Sequence, residues 1–179
     1  MKAVVVYESM FGSTHQLAEA IAEGLRSQYE VRITRADTAR DDDLHDADLL
    51  VAGAPTHAHS LSTDASRDQA AAWSDDPKQD LQLEEPEMAI GLREWLDRIG
   101  AAPRLFAAFD TRSDMPRLLT GAASVRIGKA LRKKGSMPVV APESFLVDKY
   151  AGLKDGEAER GRSWGAQIAK AASSLAAHS

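Results

Sequence analysis

Residues 3–7 (AVVVY), 48–54 (DLLVAGA) and 104–110 (RLFAAFD) are apolar runs that do not alternate with polar residues. Side chains of a strand point to two faces in turn, so an unbroken apolar run means that both faces are covered. The three runs therefore predict central strands of a parallel sheet. Residues 31–34 (VRIT) alternate, and 138–147 (PVVAPESFLV) hold two prolines, which cannot donate to a ladder. Both segments are expected at sheet edges. Helical patterns separate the strands. Leu17, Ile21 and Leu25 share one face with Ala18 and Ala22; a second helix is expected at about 90–99, a third over 122–134, and a fourth over 157–176 with Trp164, Ile168 and Leu175. Residues 37–48 read as a solvated linker with a short helix. Strand alternating with helix predicts a doubly wound α/β fold with helices on both faces of a five-stranded parallel sheet. With the second and fifth strands outside and right-handed crossovers, the economical strand order is 2-1-3-4-5.

At 179 residues the expectation is one domain, 1–179, with an extended insert at about 61–90. The connection between the third and fourth strands exceeds the roughly 10 to 12 residues that a crossover needs. Within it, residues 73–87 carry Asp75, Asp76, Asp80, Glu84, Glu85 and Glu87 with two prolines against a single lysine, which predicts a solvated acidic loop, with a lid or docking surface as the alternative. A net charge of −5 argues against a nucleic-acid partner. The chain has no cysteine, which excludes thiolate chemistry and Cys-ligated metals. No segment has the length of a membrane span or a signal-peptide core, so a cytoplasmic location is expected.

The chemistry is concentrated at the end of the first strand. Ser9, Met10, Phe11, Gly12, Ser13 and Thr14 form a hydroxyl-rich glycine loop that opens directly into an amphipathic helix. A helix start offers unpaired N–H groups and the positive end of the macrodipole, so such a loop is suited to a phosphate without needing lysine. Two nucleotide loops are excluded by spacing: the loop has only one glycine, and neither G-x-G-x-x-G nor G-x-x-x-x-G-K-[ST] is present. Residues 121–129 (GAASVRIGK) have one residue too many for the latter and read as helix. A Ser/His/Asp hydrolase lacks its G-x-S-x-G elbow. The His57-Ala58-His59 pair lacks further metal ligands before Asp64, and no metal is expected.

Loops after the three central strands together resemble the flavodoxin family of FMN-binding electron carriers. That family's phosphate loop, [ST]-x-[ST]-G-x-[ST], is matched by Ser9 to Thr14, with Phe11 in place of the middle hydroxyl. Pro55, Thr56, His57, Ala58 and His59 match the segment along one face of the flavin, and Asp110, Thr111 and Arg112 match the segment along the other face and the pyrimidine edge. The resemblance implies FMN as cofactor, a reductase and an acceptor protein as partners, and no side chain acting as acid or base. Two alternatives remain open: an NAD(P)H-dependent FMN quinone-type oxidoreductase, and a flavodoxin-fold binding module without flavin. Neither ring loop contains the Trp or Tyr that usually stacks on the flavin, and no glycine follows Gly53 in its loop. The second departure predicts weak stabilisation of the one-electron-reduced flavin, because the peptide flip that provides it in the family needs glycine. Asp110 is equally suited to capping the segment that follows it.

Overall fold

The computed structural model of the chain describes residues 1–57, 60–74, 82, 84, 90–115 and 120–176. Parallel strands β1 (Lys2–Tyr7), β2 (Glu30–Arg35), β3 (Leu49–Pro55) and β4 (Leu105–Ser113) lie in the order β2-β1-β3-β4. The fifth position is shared by two pieces, β5 (Met137–Pro138) and β6 (Glu143–Val147), both parallel to β4. The predicted order holds, but the edge strand is broken where Pro138 and Pro142 remove ladder donors.

The apolar runs are divided between two cores by the strand period of two. Val5, Val51, Ala107 and Phe109 face α1 (Ser13–Leu25) and α6 (Glu157–Ala176), whose Leu17, Ile21, Trp164 and Ile168 complete that layer. Val4, Val6, Leu50, Ala52, Phe106 and Ala108 face the opposite layer. There they meet Leu44 of α2 (Asp41–His45), Trp95 and Leu96 of α4 (Leu92–Arg98), and Ile127 and Leu131 of α5 (Ala123–Lys133). Trp164 packs edge-on against Phe109 and Phe145, with ring centroids 6.4 and 5.9 Å apart.

Helices α1 and α6 cross main chain to main chain. A Cβ on Gly24 would lie 2.1 Å from the Arg162 carbonyl oxygen, and one on Gly165 would lie 2.2 Å from that of Ile21, so only glycine permits this approach. The crossing holds the C-terminal half of α1, around Ile21 and Gly24, against the last helix of the fold.

Within the insert the structure adds a helix that the apolar pattern does not predict, α3 (Asp64–Ser74). Only Ala70 of α3 is buried, so there is no apolar stripe to read. The legible signal is its cap: Thr63 N–H donates to Ser66 Oγ at 2.8 Å, and Ser66 N–H donates to Thr63 Oγ1 at 3.3 Å. Arg93 closes the base of the insert, donating to the carbonyls of Ser62 and Leu61 at 2.9 and 2.7 Å. Of the acidic stretch, 75–81, 83 and 85–87 lie outside the described residues, and so does the expectation of a solvated loop or lid there. Among the described residues no helix is long and apolar enough to cross a membrane.

Candidate functional site at the carboxyl rim of the sheet

Strand register brings three loops to one rim. Tyr7 is level with Gly53, Gly53 with Phe109, and Pro55 with Thr111, so the segments after β1, β3 and β4 emerge side by side.

The first loop is shaped by Gly12, whose φ of 90° lies in the left-handed region. Its N–H donates to Ser9 Oγ at 3.1 Å and its carbonyl accepts the Gln16 N–H at 2.9 Å, which starts α1. Ser9 therefore serves as an acceptor within the loop and keeps its own O–H as a donor. Ser13 spends its hydroxyl on the carbonyl of Ala151, leaving its main-chain N–H for an anion. The buried hydroxyls of Thr14 and Thr111 are hydrogen-bonded to each other at 2.8 Å and lock the first loop to the third. Thr56 joins them: its N–H donates to the Thr111 carbonyl at 2.8 Å, and its Oγ1 accepts the Ala123 N–H at 3.0 Å.

The loops after β3 and β4 differ in how firmly they are held. His57 and Ser60 exchange main-chain hydrogen bonds at 2.8 Å, making a tight turn beyond β3. Ala58 and His59 lie outside the described residues. Burial, with a smaller contribution from Arg67, pushes the His57 imidazole below its ordinary value, so it is neutral at physiological pH. Asp110 is fully buried and caps α5, its Oδ2 accepting the Ser124 N–H at 2.9 Å. Arg112 curls back onto its own loop and donates to the Met115 carbonyl at 2.7 Å.

Three features of the rim were not legible in the sequence. The turn after β6 reaches the loop from Ser9 to Thr14 through Ala151, which holds a positive φ of 61° while the N–H groups of Tyr150 and Gly152 both donate to Asp148 Oδ1. Glu84 arrives from the acidic stretch, its N–H donating to the Met10 carbonyl at 2.8 Å and its carboxylate pairing with His15, whose ring stacks on Tyr7 at 4.8 Å. Burial and then Glu84 push the Tyr7 phenol up to about 12. Glu8, directly before the loop, is buried on the α4 side of the sheet.

The donor set fits a phosphate monoester with a polar-edged ring. A thirteen-residue helix begins at the loop, Ser9 has an O–H to give, and the loops after β3 and β4 carry buried polar atoms without partners among the described residues, His57 Nε2 and Arg112 Nε. Among the described residues no group of three or more His, Asp or Glu converges to hold a metal ion.

The strand order is that of the flavodoxin-like class of doubly wound proteins. The model of the flavodoxin family matches residues 5–102, and the chain belongs to that family. A flavodoxin of Aquifex aeolicus (strain VF5) is 40% identical over 63 residues, an alignment spanning 34% of each chain. Among solved structures, a flavodoxin from the domain Archaea superposes with a TM-score of 0.65 at 20% identity, covering 97% of this chain and 99% of its own. Oxidised Flavodoxin 1 from Bacillus cereus gives 0.63 at 20% identity, over 95% and 98%. A flavodoxin, WrbA-like protein from Agrobacterium tumefaciens gives 0.56 at 20% identity, over 97% and 98%. At these identities the solved structures establish the fold.

Proposed function

We propose that the protein binds FMN along this rim and shuttles electrons between a reductase and an acceptor protein. The observation that carries the reading is the buried Thr14–Thr111 hydroxyl pair, which joins the helix-start anion site to the two loops suited to a flat ring. In this reading the main chain of Ser9 to Thr14, with the Ser9 hydroxyl, holds the phosphate. Thr56 and His57 line one side of the ring and Thr111 and Arg112 the other. FMN, when bound, supplies one- and two-electron chemistry; the protein contributes orientation and electrostatics. Neutral His57 leaves Arg112 as the cationic side chain of the two ring loops. A cytoplasmic setting belongs to the same proposal.

The test is the visible spectrum of freshly purified protein, then a titration of flavin-free protein with FMN followed by fluorescence quenching. A flavin spectrum or saturable one-to-one quenching is expected. A colourless protein that does not quench FMN refutes the reading and favours a fold-only binding module. One observation supports a second reading, an NAD(P)H-dependent oxidoreductase: neither residues 55–59 nor 110–114 include a Trp or Tyr to cover the ring, leaving room for a second substrate. Steady NAD(P)H oxidation by the protein alone selects the enzyme; oxidation only after a reductase is added selects the carrier.

A further inference from the structure

The residue before the phosphate loop is a carboxylic acid that water does not reach. Glu8 is 1% exposed. Its Oε2 accepts the Leu92 N–H at 2.7 Å, and Ser62 donates to the same carboxyl group. Its Oε1 is buried with no partner among the described residues. A bare carboxylate oxygen in that position is far costlier than a neutral one.

The charges around Glu8 do not compensate it. From α3, Arg67 donates to Ser62 Oγ at 3.0 Å, to Glu94 Oε2 of α4 at 3.2 Å, and to Asp64. Glu94 also accepts the Gly91 N–H at 2.8 Å. Two carboxylates, Asp64 and Glu94, thus pair with the guanidinium of Arg67, which reaches Glu8 only as a longer-range Coulomb attraction. Arg93 directs its guanidinium at main-chain carbonyls, and His57, beside Arg67, is neutral. Burial pushes the Glu8 carboxyl above its ordinary range and Glu94 adds to this, against the pull of Ser62, the Leu92 N–H and Arg67.

We propose that Glu8 takes up a proton when a phosphate monoester docks in the loop from Ser9 to Thr14, so that nucleotide binding is coupled to protonation of this carboxyl group. The proposal deepens the FMN reading and rests on it. A monoester dianion brings two negative charges to a loop whose first residue is covalently next to Glu8, and the loop itself contains no Lys or Arg to offset them. Protonating Glu8 removes one negative charge from the residue next to the loop while its hydrogen bond from Leu92 remains. Glu8 is in this sense a positioning residue that sets the local charge and does not touch the ligand.

Uptake of one proton weakens binding by up to tenfold per pH unit across the window between the Glu8 values of the free and loaded protein. The phosphate of free FMN, which ionises near pH 6, acts in the opposite direction and equally on all variants. FMN dissociation constants are therefore measured from pH 5 to 8 for the wild type and for Glu8→Gln, which imitates the protonated acid. The expected result is a wild-type to variant ratio that climbs by up to tenfold per unit and then levels. Calorimetry in buffers of unequal ionisation enthalpy is expected to count up to one more proton taken up by the wild type. Should the variant not fold, the infrared difference spectrum of wild type labelled with ¹³C-Glu decides, with a protonated carboxyl band appearing on FMN addition. A flat ratio with no extra proton, or no such band, overturns the proposal and leaves FMN binding intact. Failure of the wild type to bind FMN at any pH overturns the FMN reading, and this proposal with it.

Discussion

The hydroxyl pair between Thr14 and Thr111 makes the sharpest prediction, because it is buried, spans two loops and can be removed from either side. Replacing one threonine by valine keeps the shape and strands the other hydroxyl without its partner. Leaving a buried polar group unsatisfied costs about 1–3 kcal/mol, whereas replacing both partners by apolar groups of the same shape is close to neutral. Each single variant is thus expected to lose about 2 kcal/mol and the double variant clearly less than the sum, a coupling on the order of 1–2 kcal/mol. In a chain of 179 residues, about 2–4 °C of melting temperature accompanies each kcal/mol, so single variants should melt roughly 4–8 °C lower. The assay is urea unfolding of the four proteins of the cycle, followed by circular dichroism without FMN, so that ligand stabilisation does not enter. Single losses that add within about 0.3–0.5 kcal/mol would show that the hydroxyls do not interact. The two loops would then be independent, and the rim would not be a pre-formed site.

Four further outcomes are expected. Gly24→Ala should destabilise by about 1–3 kcal/mol through overpacking, while Gly100→Ala, where an added Cβ meets nothing within 4 Å, should not; thermal melts compare the two. Phe11→Thr restores a hydroxyl to the phosphate loop, and FMN titration should show roughly two- to tenfold tighter binding, the worth of about 0.5–1.5 kcal/mol for one hydrogen bond. His57 has a lowered value in the folded state, so between that value and its ordinary 6.5 the unfolded chain binds more protons. Stability should therefore fall as pH drops below about 6.5, and His57→Gln should flatten this segment of the urea-midpoint profile. Anaerobic photoreduction of the FMN-loaded protein should build up little one-electron-reduced flavin, and a large blue signal would contradict the reading of a loop with no glycine after Gly53.

The prolines explain why the fifth strand was only partly legible. Pro138 and Pro142 mark an edge, but whether an edge strand bends or breaks depends on its neighbour. Here β4 pairs with both pieces, and Val139, just past the first, still donates its N–H to the Phe106 carbonyl at 2.9 Å. The helix α3 escaped the apolar pattern because Ala70 is its one buried residue, so no apolar stripe marks it; its cap and its alanines favour the helix locally.

Local patterning by itself determined the three buried strands, their order, and the hydroxyl-rich loop at a helix start. Each depends on residues near one another in the chain: a continuous apolar run needs two covered faces, and a helix start leaves N–H groups to spare. Tertiary structure alone decided how those parts are joined. Ser13 meets Ala151 across 138 positions, Thr14 meets Thr111 across 97, and Glu8 meets Leu92 across 84. No local preference encodes such pairs, because each exists only once parallel strands have brought distant loops to one rim. The burial that raises the Glu8 carboxyl and lowers the His57 imidazole is likewise a property of the folded chain, since desolvation acts only where neighbours exclude water.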